Sequence, residues 1–297
     1  MQRVFLLLFL SVLCTCGRAQ TPLSYLDNDG NTHLVGKLSL VDLQAAPYAE
    51  WYAENASAIP TLTELPAWAD ELQDTKVKIF LGTWCGDSKR WVPRFTALWE
   101  KLGLNGDQLE FIGLYNGEEK YKQGPHGEES GYRIHRVPTF LFERKGKEIA
   151  RIVERPRTDL LTDIAQIALG YPTTPQYPAA NYLLELLAQE PLDSIQANLN
   201  THFRAIRRNI GSVSELNTAG YVLLRAGKID EALLLFRINA FVFPYTPNTL
   251  DSYAEAWLVK GEKATALELY EKVLKLTPEE ERVAKKVAEL RAVMEEN

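Results

Sequence analysis

The sequence predicts an α/β domain followed by an all-helical domain, and three observations carry that prediction. Val77–Leu81 (VKIFL) is a short apolar run that reads as a buried strand. Directly after it Trp91, Val92, Phe95, Leu98, Trp99 and Leu102 recur at helical spacing. Pro138 opens a second apolar strand through Phe142. Beyond Tyr171–Pro178 the pattern is helical throughout, and from Leu216 residue types recur with a period of 34.

The chain opens on Arg3, an apolar stretch Val4–Leu13, and the small residues Gly17 and Ala19. That is the pattern of a secretory signal cleaved after Ala19, and the stretch is too short to span a membrane. A buried first strand is the weaker reading. Lipid attachment at Cys14 or Cys16 is a minor alternative, because Leu13 and Thr15 fit poorly before a modified cysteine.

Asp27-Asn28-Asp29-Gly30-Asn31 is turn chemistry. A calcium loop would need glycine at its sixth position and a carboxylate at its twelfth; counted from Asp27 these are Thr32 and Leu38. His33–Leu40 is a strand candidate. In Val41–Glu54, Leu43, Ala46, Tyr48, Trp51 and Tyr52 predict a helix with an aromatic face, broken near Pro47. Trp51 is expected in the core rather than lining a client groove. Thr61–Asp74 is a further helix candidate with Pro66 in its first turns. Leu109–Tyr115 reads as a strand, and Asn116–Ser130 as a polar loop with solvent-facing charges. Arg144–Lys147 turns the chain into an edge strand, Glu148–Val153. Thr158 starts a helix with Asp159 in its first turn and an apolar stripe at Leu160, Leu161, Ile164, Ile167 and Ala168, ending near Gly170. Tyr171–Pro178 (YPTTPQYP) cannot continue a helix and separates the domains.

In the second half Tyr182–Ala188 and Leu192–Ile210 read as two amphipathic helices. Gly227, Ala232, Phe236 and Pro244 then recur as Gly261, Ala266, Tyr270 and Pro278. The glycine closes a helix–helix turn, the alanine permits close helix contact, and the aromatic fills the groove between neighbours. Glu279–Met294, with Val283, Val287, Leu290 and Val293 on one stripe, reads as a capping helix. The pattern resembles the tetratricopeptide repeat. Two copies are fewer than a stable array usually needs, so the helices of Tyr182–Ile210 are expected to complete the stack.

The chemistry concentrates in Thr83–Phe95, TWCGDSKRWVPRF. A strand-to-helix turn puts the Cys85 sulfur at a helix N-terminus, where free N–H groups and the macrodipole favour the thiolate. Lys89 and Arg90 add positive charge, and Asp87 opposes them. The segment resembles the active site of the thioredoxin superfamily, W-C-x-x-C at the start of a helix with a proline eight residues after the first cysteine; here these are Cys85 and Pro93. A second hallmark is a strand opened by a cis-proline facing the cysteine. RIHRVPTFLFERKGKE, Arg133–Glu148, matches it with Pro138 after Val137.

The resemblance implies a thioredoxin-like domain, a central mixed sheet flanked by helices. It implies client binding by strand-like hydrogen bonds at Val137 and Pro138. Cys85 would be the catalytic thiol, supported by Trp84, Gly86, Asp87, Ser88 and Lys89. Two residues depart from the pattern. Ser88 replaces the second cysteine. Ile79 stands six residues before Cys85, where many thioredoxins carry a buried carboxylate that moves protons. Taken whole, the chain is similar to exported bacterial thioredoxin-like proteins with a W-C-G-D-S-K motif. The expected organisation is signal peptide 1–19, thioredoxin-like domain 20–172, helical connector 173–214, and tetratricopeptide-like repeats with a capping helix at 215–297.

The length of 297 residues is ample for two cores. With 33 basic and 39 acidic residues the net charge is −6. Loss of Arg3 and Arg18 with the signal would leave 31 against 39, or −8. This balance disfavours a nucleic-acid partner. Of the three cysteines, Cys14 and Cys16 lie in the signal, so Cys85 would be the one thiol of the mature chain, with no partner for an internal disulfide. No membrane span follows residue 19. No dinucleotide or phosphate loop and no zinc spacing occurs, so no cofactor and no metal is expected. His33, His126, His135 and His202 are scattered, and only His135 would come near Cys85.

These features point to an exported, periplasmic monothiol protein whose Cys85 attacks a client disulfide or sulfenic acid. Ser88 cannot resolve the mixed disulfide, though it could hydrogen-bond the thiolate. Release therefore falls to a client thiol, a small thiol or another protein, and the repeats would bind partners or mediate self-association. The alternative is a non-catalytic adaptor with two protein-binding modules, in which Cys85 is a relic.

Overall fold

A computed structural model describes residues 22–295. The segment expected to be a signal, with Cys14 and Cys16, lies outside the described residues.

The first half contains β1 (Leu23–Leu26), β2 (Thr32–Leu38), α1 (Leu40–Gln44), α2 (Ala49–Ala56), β3 (Thr75–Leu81), α3 (Gly86–Lys101), β4 (Leu109–Gly113), β5 (Thr139–Arg144), β6 (Lys147–Val153) and α4 (Leu160–Ala168). The strands form one sheet in the order β1-β2-β4-β3-β5-β6. β3 and β4 are parallel and joined through α3, and every other pairing is antiparallel, so the sheet is mixed. Period-two alternation in β3 sends Val77, Ile79 and Leu81 into the main core, with Phe95, Leu98 and Trp99 of α3. Phe80 goes to the other face, into a smaller core with Ile112, Leu114, Ile134 and Val137, against which Trp84 and Cys85 pack. The strand end thus feeds both cores and aims the following turn at the smaller one.

The second half contains α5 (Pro178–Gln189), α6 (Leu192–Ala197), α7 (Leu199–Asn209), α8 (Val213–Arg225), α9 (Ile229–Val242), α10 (Pro247–Lys260), α11 (Lys263–Leu276) and α12 (Glu281–Glu295). α8, α10 and α12 start at 213, 247 and 281, and α9 and α11 at 229 and 263, so each start repeats 34 residues on. Ala232, Ala266, Phe236 and Tyr270 are all fully buried. Gly227 and Gly261 close the helix–helix turns with φ of 74° and 94°, which favours glycine.

Several elements differ from the sequence expectation. The residues ahead of β2 read as turn chemistry alone, but β1 pairs with β2 through Leu23↔Val35 and Leu26↔Thr32. The helix expected over Thr61–Asp74 is a short 3-10 segment, Ala67–Leu72, with Pro66 extended before it. The helix beginning near Thr158 is capped by Asp159, whose side chain accepts from Thr162 N–H, so Asp159 lies before the first turn. Leu192–Ile210 is two helices, because Asn198 (φ −103°, ψ 16°) ends α6 and begins α7.

The halves touch beside the Pro138 strand. Arg136 donates to the Ser214 carbonyl at 2.8 Å, Arg133 pairs with Glu185 at 2.9 Å, and Tyr177 hydrogen-bonds Glu154. Among the described residues no helix is long and apolar enough to cross a membrane.

Candidate active site at Cys85

β3 ends at Leu81, and the chain turns through Gly82, Thr83 and Trp84 to Cys85, the N-cap residue of α3. The turn closes by a hydrogen bond from Cys85 N–H to the Gly82 carbonyl at 2.9 Å. A Cβ at Gly82 would lie 2.4 Å from the Trp84 ring, so glycine is what lets the indole fold back over the turn. Trp84 Nε1 donates to the Leu114 carbonyl at 2.8 Å and fixes the ring. Thr83 Oγ1 accepts from Leu34 N–H at 3.1 Å and lies 3.3 Å from His33 Nδ1, while His33 Nε2 meets Asp27 at 3.0 Å. A buried hydrogen-bond chain thereby ties the loop to β2.

Cys85 is half-buried, and its Sγ lies 3.3 Å from the Val137 carbonyl. The Val137–Pro138 bond is cis and both residues are buried. Pro138 presents its carbonyl to Glu154 N–H at 2.6 Å, and Val137 N–H makes no hydrogen bond among the described residues. Ser88 is fully buried and its Oγ accepts from Gly82 N–H at 3.2 Å, so this bond serves the turn rather than the sulfur. Gly86 is exposed with open space around its Cα, Asp87 is half-buried in the first turn, and Pro93 lies inside an unbroken α3. Lys89 lines a neighbouring cleft of about 580 Å³ with Trp51, Tyr48 and Trp84. Trp51 is half-buried there: it packs against the main core, as expected, and one side of it also lines the cleft. Ile79 is fully buried in the main core, on the sheet face opposite Phe80, and supplies no titrating group.

Two charged residues of the Asn116–Glu154 region fall where polarity along the sequence gives no sign of them. Lys122, expected in a solvent-facing loop, is only 4 % exposed. Its N–H donates to the Tyr115 carbonyl at 2.9 Å, and its Nζ sits 3.4 Å from the Tyr121 ring centroid and 5.6 Å from that of Trp84. Burial first, then the Arg136 charge, brings its pKa down to about 7, while Cys85 and Glu154 act the other way. Arg136 stacks on Tyr177 at 4.4 Å and pairs with Glu154 at 3.4 Å. Burial together with the Glu154 bond raises Tyr177 to about 12.

The histidine expected nearest the thiol is no base for it. His135 is fully enclosed, with Nδ1 on the Arg133 carbonyl and Nε2 unpartnered. Burial lowers its pKa to about 3, so it is neutral, and its charged neighbours are Arg136, Arg151 and Lys122 rather than Cys85. Among the described residues no cluster of three or more metal-ligating side chains occurs.

No family profile matches the chain, and no solved structure matches it. It is similar to thioredoxin H9 of Arabidopsis thaliana, with 29% identity over 123 residues, covering 39% of this chain and 81% of the plant protein. With the mixed sheet, its flanking helices and the turn at Cys85, the first half is a thioredoxin-like α/β domain, and it is followed by an all-helical region.

Proposed function

We propose that this protein is an exported monothiol thioredoxin-like protein that exchanges disulfides with envelope proteins through Cys85. The observation that carries the reading is the half-buried Cys85 sulfur at the start of α3, 3.3 Å from the carbonyl that precedes cis-Pro138. A client strand laid along Val137 would find an unused N–H beside the thiol and bring its disulfide to Cys85. Position 88 carries a hydroxyl, which cannot take part in thiol–disulfide exchange, so the mixed disulfide is released by a thiol from the client, a small molecule or a second protein. The helical region, with its 34-residue spacing, is read as tetratricopeptide-like and as the partner-selecting surface, consistent with its contact to Arg136 at the edge of the site. Trapping in the exported compartment tests this. Wild type should form mixed disulfides with envelope proteins that Cys85→Ala does not, and equal recovery from both proteins would reject it.

The adaptor reading is favoured by one observation, the Arg136–Ser214 bond that anchors the helical region beside Val137. It predicts that Cys85→Ala leaves non-covalent partner pull-down unchanged; loss of partners would exclude it.

A further inference from the structure

The cleft of about 580 Å³ that Lys89 lines opens beside the Cys85 turn, on the side away from Val137. In the sheet, β3 leads into the turn; β5, which Val137 precedes, flanks it on one side, and β4 and then β2 lie on the other. The cleft belongs to the second side, where the rings of Tyr48, Trp51 and Trp84 form its walls. Trp84 directly precedes Cys85. Lys89 lies one helical turn after it, with its N–H donating to the Cys85 carbonyl at 3.0 Å. The cleft is thus built on the chain neighbours of the thiol in both directions, and whatever reacts at Cys85 passes its rim.

The polar groups of the cleft are unevenly matched. Its one carboxylate, Asp27, is saturated: it accepts from Asp29 N–H at 3.0 Å, from Asn31 N–H at 2.8 Å and from the Asn31 side-chain amide at 3.0 Å, and it meets His33 Nε2 at 3.0 Å. The Tyr48 hydroxyl is spent on the Thr32 carbonyl at 2.9 Å, and the Trp84 indole N–H on the Leu114 carbonyl. The Lys89 ammonium, the Trp51 indole N–H and the Asn116 side-chain amide have no partner among the described residues. Aromatic walls with spare donors, one spare cation and no spare carboxylate suit an aromatic group carried next to an anion. Resting on the reading of Cys85 as the exchanging thiol, we propose that this cleft is a specificity subsite for the client. It takes an aromatic side chain close to the client's disulfide cysteine between Trp51 and Trp84, and a neighbouring carboxylate at Lys89.

The test measures mixed-disulfide formation between the full chain and synthetic peptides whose central cysteine is bonded to 2-mercaptoethanol. The sequences are Asp-Phe-Cys-Phe-Asp, Lys-Phe-Cys-Phe-Lys and Ala-Ala-Cys-Ala-Ala, and peptide mapping by mass counts only the adduct on Cys85. Each native rate is divided by the rate of the same chain unfolded in urea, which removes the intrinsic reactivity of the peptide. In this ratio the acidic aromatic peptide should lead the alanine peptide by at least about tenfold and the basic one by about threefold. In Trp51→Ala the lead of the aromatic peptides should collapse. In Lys89→Glu the acidic and basic peptides should change places, and this variant carries the test alone should Trp51→Ala not fold. A merely structural role would slow all three peptides alike. Ratios above one but equal for the three peptides, or a preference that survives in a folded variant, overturn the inference. Ratios at or below one for every peptide mean that the reading of Cys85 itself fails, and the inference with it.

Discussion

Replacing Lys122 by methionine should stabilise the protein, by an amount that depends on pH. The residue is 4 % exposed, and burial lowers its pKa from 10.5 to about 7. Between those values the unfolded chain carries a proton that the folded chain has lost, so folding becomes more favourable as pH rises. Every tenfold loss of proton affinity on folding corresponds to about 1.4 kcal/mol. The folded protein therefore bears a cost on the order of 5 kcal/mol at pH 6, which shrinks to about 1 kcal/mol at pH 10. Methionine keeps the length of the stem without the charge, and it rests well against the Trp84 and Tyr121 rings. Urea unfolding of both proteins from pH 6 to pH 10 measures the difference, since groups common to the two chains cancel. The gap should be widest at the acid end and close steadily above pH 7. A gap that stays constant would mean that Lys122 is solvated as an ordinary lysine, and the reasoning would be wrong.

Three further predictions concern other buried polar or tight contacts. His135 is neutral in the fold with a pKa of about 3, so its contribution to stability is lost as pH falls from about 6.5 towards 3; His135→Met should shift the acid-unfolding midpoint to lower pH, and an unmoved midpoint would contradict the assignment. Glu215 is buried and accepts from Ala179 N–H at 2.7 Å, Ala180 N–H at 3.2 Å and Gly211 N–H at 2.9 Å, so it caps α5 from α8. Glu215→Ala should cost about 3 kcal/mol in urea unfolding, because three donors lose a charged acceptor, and a loss no larger than that of an exposed glutamate would refute the capping role. A Cβ at Gly220 would lie 2.6 Å from the Phe236 ring. Gly220→Ala should therefore cost about 1–3 kcal/mol, most of it recovered when Phe236→Leu is added; a neutral single variant would contradict the packing.

Much of the site's scaffold is legible in the sequence because it depends on local pattern. The alternation in Val77–Leu81, the turn at Thr83–Cys85 and the helical stripe after it are short-range signals, and they place Cys85 at the head of α3. The 34-residue period is legible because Ala232, Phe236 and their counterparts do the same packing in each copy. Lys122 is not legible, since its burial is decided by pairing of its loop with Tyr115 and by the Trp84 ring, which comes from elsewhere in the chain. Glu215 reads as an ordinary acidic residue in a first helical turn, and only tertiary packing brings the start of α5 against it. β1 escapes a sequence reading because its short segment becomes a strand through its partner β2, not through its own alternation. The break at Asn198 carries no proline or glycine to announce it.

The most direct test of the account is the rate at which Cys85 is captured by a disulfide-linked peptide, followed by intact mass, in the native chain and in the same chain unfolded in urea. The account predicts that the folded protein reacts at least about tenfold faster than its own unfolded thiol, because the helix start and the Val137 edge present the sulfur to a client. A native rate equal to or below the unfolded rate would contradict it.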